Sequence, residues 1–121
     1  MSNVDVILKE ALTLDGAQVA LLVDYQSGMI LGQAGDTASL NVDVAAAGNT
    51  DVVRAKMRTM ETLGLTDSIE DILITLGKSY HLLRLTQDHK GLFLYVVLDK
   101  QRSNLAMARH KLQTIEKDLV L

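Results

Sequence analysis

The 121-residue chain has no cysteine, no proline and no tryptophan, and its aromatic side chains are Phe93 and three tyrosines. Without cysteine there is no disulfide framework and no thiolate chemistry. The lack of proline and the few aromatic rings leave little from which to build a peptide-binding groove or a stacking platform for bases. Also missing is any basic run. Twelve Lys and Arg stand against fifteen Asp and Glu, a net charge of −3. Affinity for nucleic acid comes mainly from Lys and Arg on phosphate, so no nucleic acid partner is expected, nor an anionic membrane surface. The longest apolar run, "LFLYVVL" at 92–98, falls far short of the ~20 residues of a spanning helix, so no membrane insertion is expected. "MSNVDVILKEAL" lacks the basic n-region and long apolar core of a signal peptide, which makes a cytoplasmic location the expectation.

What is present reads as one soluble globular domain over residues 1–121, with 48% apolar and 22% charged residues. Val4, Ile7, Leu8, Ala11 and Leu12 recur at helical spacing and predict a helix over 2–14, with Ser2 and Asp5 as a capping box. "AQVALLVD" at 17–24 predicts a strand that is apolar on both faces and therefore covered on both. "YQSG" at 25–28 is a hairpin turn with Gly28 at positive φ, and "MILGQAG" is the returning strand. The longest helix is predicted over 40–64, closed by Gly64. Strands at 69–76, 79–86 and 91–98 follow, separated by Gly77-Lys78 and "QDHKG". Leu105, Ala108, Leu112, Ile115 and Leu119 mark a final helix over 102–119.

The order α-β-β-α-β-β-β-α with short turns predicts an α+β fold with an antiparallel sheet and helices on both faces. The strands at 17–24 and 91–98 are the most apolar and belong in the centre, which sets the sheet order 2-1-5-4-3. The 69–76 strand, "IEDILITL", is then outermost. Edge strands normally carry a charge, a proline or a bulge, yet only Glu70 and Asp71 guard its beginning. Either a loop or the N-terminal helix shields this edge, or an identical strand pairs with it across a two-fold axis. The second alternative makes Ile72, Leu73, Ile74, Thr75 and Leu76 a homodimer interface.

The helix over 40–64 gives an independent hint. Ala45, Ala46, Val52, Val53, Met57, Met60 and Leu63 gather on one broad face, expected to lie on the sheet. Val44, Gly48, Asp51 and Ala55 form a second stripe of small residues. Glycine inside an exposed helix costs ~1 kcal/mol against alanine; close approach of a second helix would account for Gly48, and a tolerated imperfection is the alternative. Arg54, Arg58 and Glu61 would rim the paired-helix surface as partner-binding residues. Equally, the arginines read as surface charge pairs with Asp51 and Glu61.

Groups that could perform a reaction are few. His81, His89 and His110 fall on a strand, in a turn and on a helix, with no metal-ligand spacing. His81 reads as a partly exposed strand residue. Asp24 and Asp99 end the two central strands, where a catalytic carboxylate pair can sit; they also read as a turn residue and as the cap of the final helix. Ser27 lies outside any G-x-S-x-G elbow, and "GQAGD" at 32–36 fits no phosphate-binding loop. Arg109, Lys111, Glu116, Lys117 and Asp118 read as a solvated helix face. No catalytic residue, metal ligand or cofactor is assigned, and the expectation is a protein that is not an enzyme.

The hairpin with Asp24, Ser27 and Gly28 in D-x-x-S-G, together with "ILITLGKSYHLLRL", resembles the Roadblock / dynein light chain family. So does "GLFLYVVLDKQRSNLAMARHKL", with its "VLD" and the A-x-A-R of Ala106, Ala108 and Arg109, and the resemblance runs over essentially the whole chain. It implies a profilin-like, roadblock-type sandwich that dimerises edge to edge, without enzymatic activity. It also implies a partner among small Ras-like GTPases, whose GTP hydrolysis some bacterial members promote in polarity and motility systems; eukaryotic relatives are dynein subunits and scaffolds. The family has no universal catalytic motif to carry over. Because the chain ends at Leu121, contact through the long C-terminal extension of some relatives is not expected. Three functions stay open: a homodimeric GTPase regulator or scaffold, a small-molecule-sensing module, and a purely structural dimerisation subunit.

Overall fold

The computed structural model describes residues 2–121. Its elements follow the expected order: α1 (Val4–Ala11), β1 (Ala17–Asp24), β2 (Met29–Gly35), α2 (Val42–Thr62), β3 (Asp71–Thr75), β4 (Ser79–Leu85), β5 (Leu92–Asp99) and α3 (Leu105–Lys117). The fold is α+β, with one antiparallel sheet in the order β2-β1-β5-β4-β3. β1 and β5 are central because both of their faces are apolar. Their register sets Leu21 against Tyr95 on one face and Leu22 against Leu94 on the other.

Each face of the sheet carries its own core. On one, α1 and α3 cover Ala20, Leu22, Leu82, Leu94, Val96 and Leu98 with Ile7, Leu8, Ala11, Ala108, Leu112 and Ile115. On the other, α2 covers Val19, Leu21, Val23, Phe93 and Tyr95. α1 lies so close to β2 that a Cβ added at Gly32 would stand 2.6 Å from a Val4 methyl. Gly28 adopts φ +78° in the β1–β2 turn, as its place in "YQSG" requires, and Gly64 adopts φ +69° where α2 ends.

Several local expectations are corrected. The first helix is shorter than 2–14, and no side chain caps it. Its N-cap residue Asn3 is instead tied to the other end of the chain. Asn3 donates through Nδ2 to the Asp118 carbonyl (2.6 Å), and its Oδ1 accepts from the Val120 amide (2.7 Å). Asp99 does not cap α3. Asn104 does, accepting from the Met107 amide at 3.1 Å, while Asp99 pairs with Arg102 at 3.4 Å.

The charges of α3 are not one solvated face either. Glu116 is 1% exposed and pairs with buried Arg84 of β4 at 3.1 Å; its second oxygen accepts from the Gln87 amide. Arg109 grips Asp71 of β3 with two hydrogen bonds of 2.8 and 3.1 Å. That contact, chiefly its hydrogen bond, raises the Arg109 pKa. These two pairs pin α3 over the β4–β3 half of the sheet.

Breaking a buried pair from one side strands a charge in a medium that solvates it poorly. Arg84→Met is therefore expected to lower the unfolding free energy by about 3–5 kcal/mol. Combining it with Glu116→Leu should restore most of that loss, since the cost lies in the orphaned carboxylate. Urea denaturation of the four proteins in a double-mutant cycle checks this; an equal loss in the single and double variants would reduce the pair to ordinary packing.

Candidate functional site

The outer edge of β3 is open. β3 pairs only with β4, in unbroken register from Asp71↔Arg84 to Thr75↔Tyr80. The Leu76 amide bonds the Ser79 carbonyl and the Leu85 amide bonds the Glu70 carbonyl. Even-numbered residues therefore bond inward, and the alternation of an antiparallel ladder turns the amides and carbonyls of Leu73 and Thr75 outward. α1 does not shield this edge, because it packs against β1, β2 and α3. The opposite edge, β2, differs: its pairing with β1 shifts register between Leu22 and Val23, an irregularity of the kind that blunts an edge. Ile72 and Ile74 are half-buried, Leu73 is 39% exposed, and Thr75 and Leu76 are also exposed.

α2 sits mainly over β1 and β2. Its sheet-facing stripe is narrower than expected, and buried Thr50 belongs to it along with Ala46 and Val53, its hydroxyl donating to the Ala46 carbonyl at 2.7 Å. Val52 and Leu63, expected on the sheet, are 37% and 64% exposed. The reason is that the helix lies across half of the sheet and buries only the residues pointing straight down. Val44, Gly48, Asp51 and Ala55 all face solvent, and an added Cβ at Gly48 would meet nothing within 4 Å.

Three grooves border α2: one of about 550 Å³ lies between Lys56 and Met60 and the 65–71 segment, and two more run along the flanks of the helix. One, of about 320 Å³, lies between Val44, Ala45, Gly48 and Asn49 and the sheet residues His81 and Tyr95. Here the His81 ring nitrogen Nδ1 and the Tyr95 hydroxyl share a 2.7 Å hydrogen bond, their rings edge to face at 5.5 Å. His81 is thus the partly exposed strand residue expected, and its ring is hydrogen-bonded. Burial lowers its pKa; burial likewise raises that of Tyr95, against which a hydrogen bond with the Asn49 side chain acts.

The other groove, of about 310 Å³, lies between α2 and the β1–β2 turn and is lined by Tyr25, Gln26, Arg54, Met57, Arg58 and Glu61. The three residues picked from the sequence as partner-binding thus share one groove, but on the flank of α2 away from Gly48. Neither arginine has a carboxylate within 4.0 Å among the described residues, so the expected pairs with Asp51 and Glu61 do not form. Tyr25 and Gln26 escaped the sequence reading because they serve equally well as plain turn residues; an aromatic ring in a tight hairpin was the available signal.

The remaining candidates do not converge. Asp24 and Asp99 end antiparallel neighbours, which puts them at opposite ends of the sheet, roughly 20–25 Å apart for eight-residue strands. Asp24 accepts from the Gln26 amide at 2.8 Å, and Ser27 accepts from the Met29 amide at 3.2 Å, both within the turn. His89 bonds the Leu119 carbonyl at 2.8 Å. Among the described residues no helix is long and apolar enough to cross a membrane.

No protein-family model matches the sequence, and no curated protein is significantly similar to it. Solved structures do match. A Roadblock/LC7 domain from Streptomyces avermitilis superposes with a TM-score of 0.79 at 15% identity, over 93% of this chain and 91% of that one. MglB of Myxococcus xanthus gives 0.76 at 19% identity, over 92% and 83%. The gliding protein MglB from Thermus thermophilus gives 0.71 at 18% identity, over 94% and 88%. The chain therefore has the Roadblock/LC7 fold.

The lowered pKa of His81 has a sign that can be checked. The unfolded chain, with its histidine at the ordinary 6.5, takes up a proton before the folded protein does. Stability from this residue is complete above about pH 6.5 and is lost as pH falls below it. His81→Gln keeps a polar partner for Tyr95 without titrating. Thermal melts between pH 7.5 and 5 should show a shallower decline for the variant, and identical slopes would exclude His81 as the source.

Proposed function

We propose that the protein is a homodimeric, non-enzymatic regulator or scaffold for a small Ras-like GTPase, acting in the cytoplasm in bacterial signalling or motility. The unguarded edge of β3 carries this reading. A regular, largely uncharged edge strand is a template for another strand, and a second copy supplies the self-complementary one that two-fold symmetry requires. Residues 72–76 would meet their counterparts and join two sheets into one of ten strands. Both α2 helices would then lie on the same face, with Val44, Gly48, Asp51 and Ala55 available for helix contact. Gly48, which touches nothing in its own chain, gains a reason in that arrangement.

The fold shared with MglB, called a gliding protein in Thermus, supports a motility or signalling setting. The GTPase would dock on the α2 side, where Arg54, Arg58 and Glu61 stand. With no catalytic group to offer, the protein would promote hydrolysis, where it does so, by ordering the GTPase's own switch loops.

Light scattering over a dilution series should give the mass of two chains. Leu73→Pro deletes an outward amide that β4 does not use, so it should give a folded monomer; Ile74→Lys should drive the protein to monomer or aggregate, and Gly48→Leu should raise the dissociation constant. A wild-type monomer, or a Leu73→Pro dimer with unchanged affinity, would overturn edge pairing. Mixing the dimer with a Ras-like GTPase of the same organism, loaded with GDP or a non-hydrolysable GTP analogue, should give a nucleotide-dependent complex on gel filtration. No complex in either state would leave the dimer standing and remove the regulator.

A further inference from the structure

The chain has five arginines, and the structure divides them sharply. Arg84 is bound to Glu116, Arg102 to Asp99 and Arg109 to Asp71. Arg54 and Arg58, alone among the described arginines, have no carboxylate within 4.0 Å, although Asp51 and Glu61 stand one helical turn away on either side. Two like charges at i and i+4 on a helix repel each other, and no ion pair among the described residues offsets that repulsion. Both side chains instead line the groove beside the β1–β2 turn.

We propose that this groove receives an acidic segment of a protein partner, whose carboxylates are held by Arg54 and Arg58. The inference deepens the function proposed above and rests on it for the identity of the partner, but the chemistry of the groove stands separately. An arginine fork matches a carboxylate in bidentate fashion, and two forks on successive turns match two acids about one helical turn apart.

The opposite wall is pre-formed. The Tyr25 ring stacks on Phe93 with centroids 6.5 Å apart, its amide is bonded to the Gly91 carbonyl at 2.9 Å, and the Gln26 amide is held by Asp24. Met57 gives the groove an apolar lining between the charged groups. Glu61 closes the far end, so the run of acids lies over the arginines and a neutral or basic residue faces Glu61. A volume of about 310 Å³ admits one or two side chains, and the net charge of −3 repels extended polyanions. Recognition is therefore local. Because the groove lies on the flank away from Gly48, dimerisation through β3 leaves it open, and each protomer carries one complete site.

The test uses the full-length dimer and a synthetic helical peptide with two glutamates at i and i+4, followed by NMR of backbone amides and arginine side chains. The Nε–H signals of Arg54 and Arg58 and the amides of Tyr25 and Gln26 should shift saturably. The isosteric glutamine peptide should bind about tenfold more weakly or not at all, and added salt should weaken the glutamate peptide. Arg54→Gln with Arg58→Gln should abolish the shifts while leaving the circular dichroism spectrum and the dimer mass unchanged. Equal binding of the glutamine peptide, or shifts that avoid the groove, would overturn the proposal; so would preference for a phosphoserine peptide, which would make this a phosphate site. None of these outcomes involves a GTPase. A peptide that binds while every GTPase fails removes only the regulator reading, and a GTPase complex indifferent to both arginine changes, with the groove silent to peptide, removes only this one.

Discussion

A five-stranded sheet is roughly 20 Å across, whereas one α-helix with its side chains is roughly 10–12 Å wide, so a single helix leaves part of such a sheet bare. This protein meets that constraint differently on its two faces. α1 and α3 together cover one of them, and the core there closes around Leu22, Leu94 and Leu112. The other has α2 alone, set over β1 and β2. The exposed flanks of α2, the half-covered His81 and Ile74, and the grooves beside the helix all follow from that shortage. The connection after α2 supplies only partial cover, with Ile69 packed against the core margin beside Ile72 of β3.

The ion pairs decide which half of the sheet is held firmly. Arg84–Glu116 lies under α3, and a buried pair fixes geometry more than it adds stability. Arg109–Asp71 has a consequence for the edge as well. Asp71 is one of two acids at the start of β3, where a free charge would discourage pairing. Bound to Arg109 at 2.8 Å, its carboxylate is neutralised and held by α3. Among the described residues of that end, Glu70 is left as the unpaired charge, and the strand after it, Ile72 to Leu76, has none. Holding α3 in place thus lowers the charge barrier on the neighbouring edge.

Much of this was legible in the chain because the signals were local or doubled. Apolar residues on both faces of 17–24 and 91–98 placed those strands in the centre, and with three short turns only one strand order remained. Gly28 and Gly64 marked backbone positions at positive φ. What could not be read depended on partners distant in sequence. Glu116 looks like any solvated helix acid until Arg84, 32 residues earlier, is seen beneath it. Val52 and Leu63 fit the sheet-facing side of a helical wheel, but a wheel assumes that the whole face is covered, and α2 has only half a sheet below it. Thr50 was passed over as polar, although its bond to the Ala46 carbonyl lets it be buried. Ser2 and Asp5 fitted a capping box by spacing, yet the N-cap position falls to Asn3, whose side chain is taken by the backbone of Asp118 and Val120 at the other end of the chain.

The same shortage of cover separates the two tasks proposed for α2. The flank toward β4 carries Gly48 and Ala45, small residues that permit close approach. The flank toward the β1–β2 turn carries Arg54 and Arg58, long residues that reach outward. A helix sunk into a fully covered face would have no free flanks, and one without neighbours would have no groove walls. Lying at the boundary of the covered region, α2 has both a wall to work against and open space beside it. An acidic chain with few uncommitted arginines then presents a localised positive feature on a negative surface. That contrast, more than total charge, is what a small domain has available for choosing a partner.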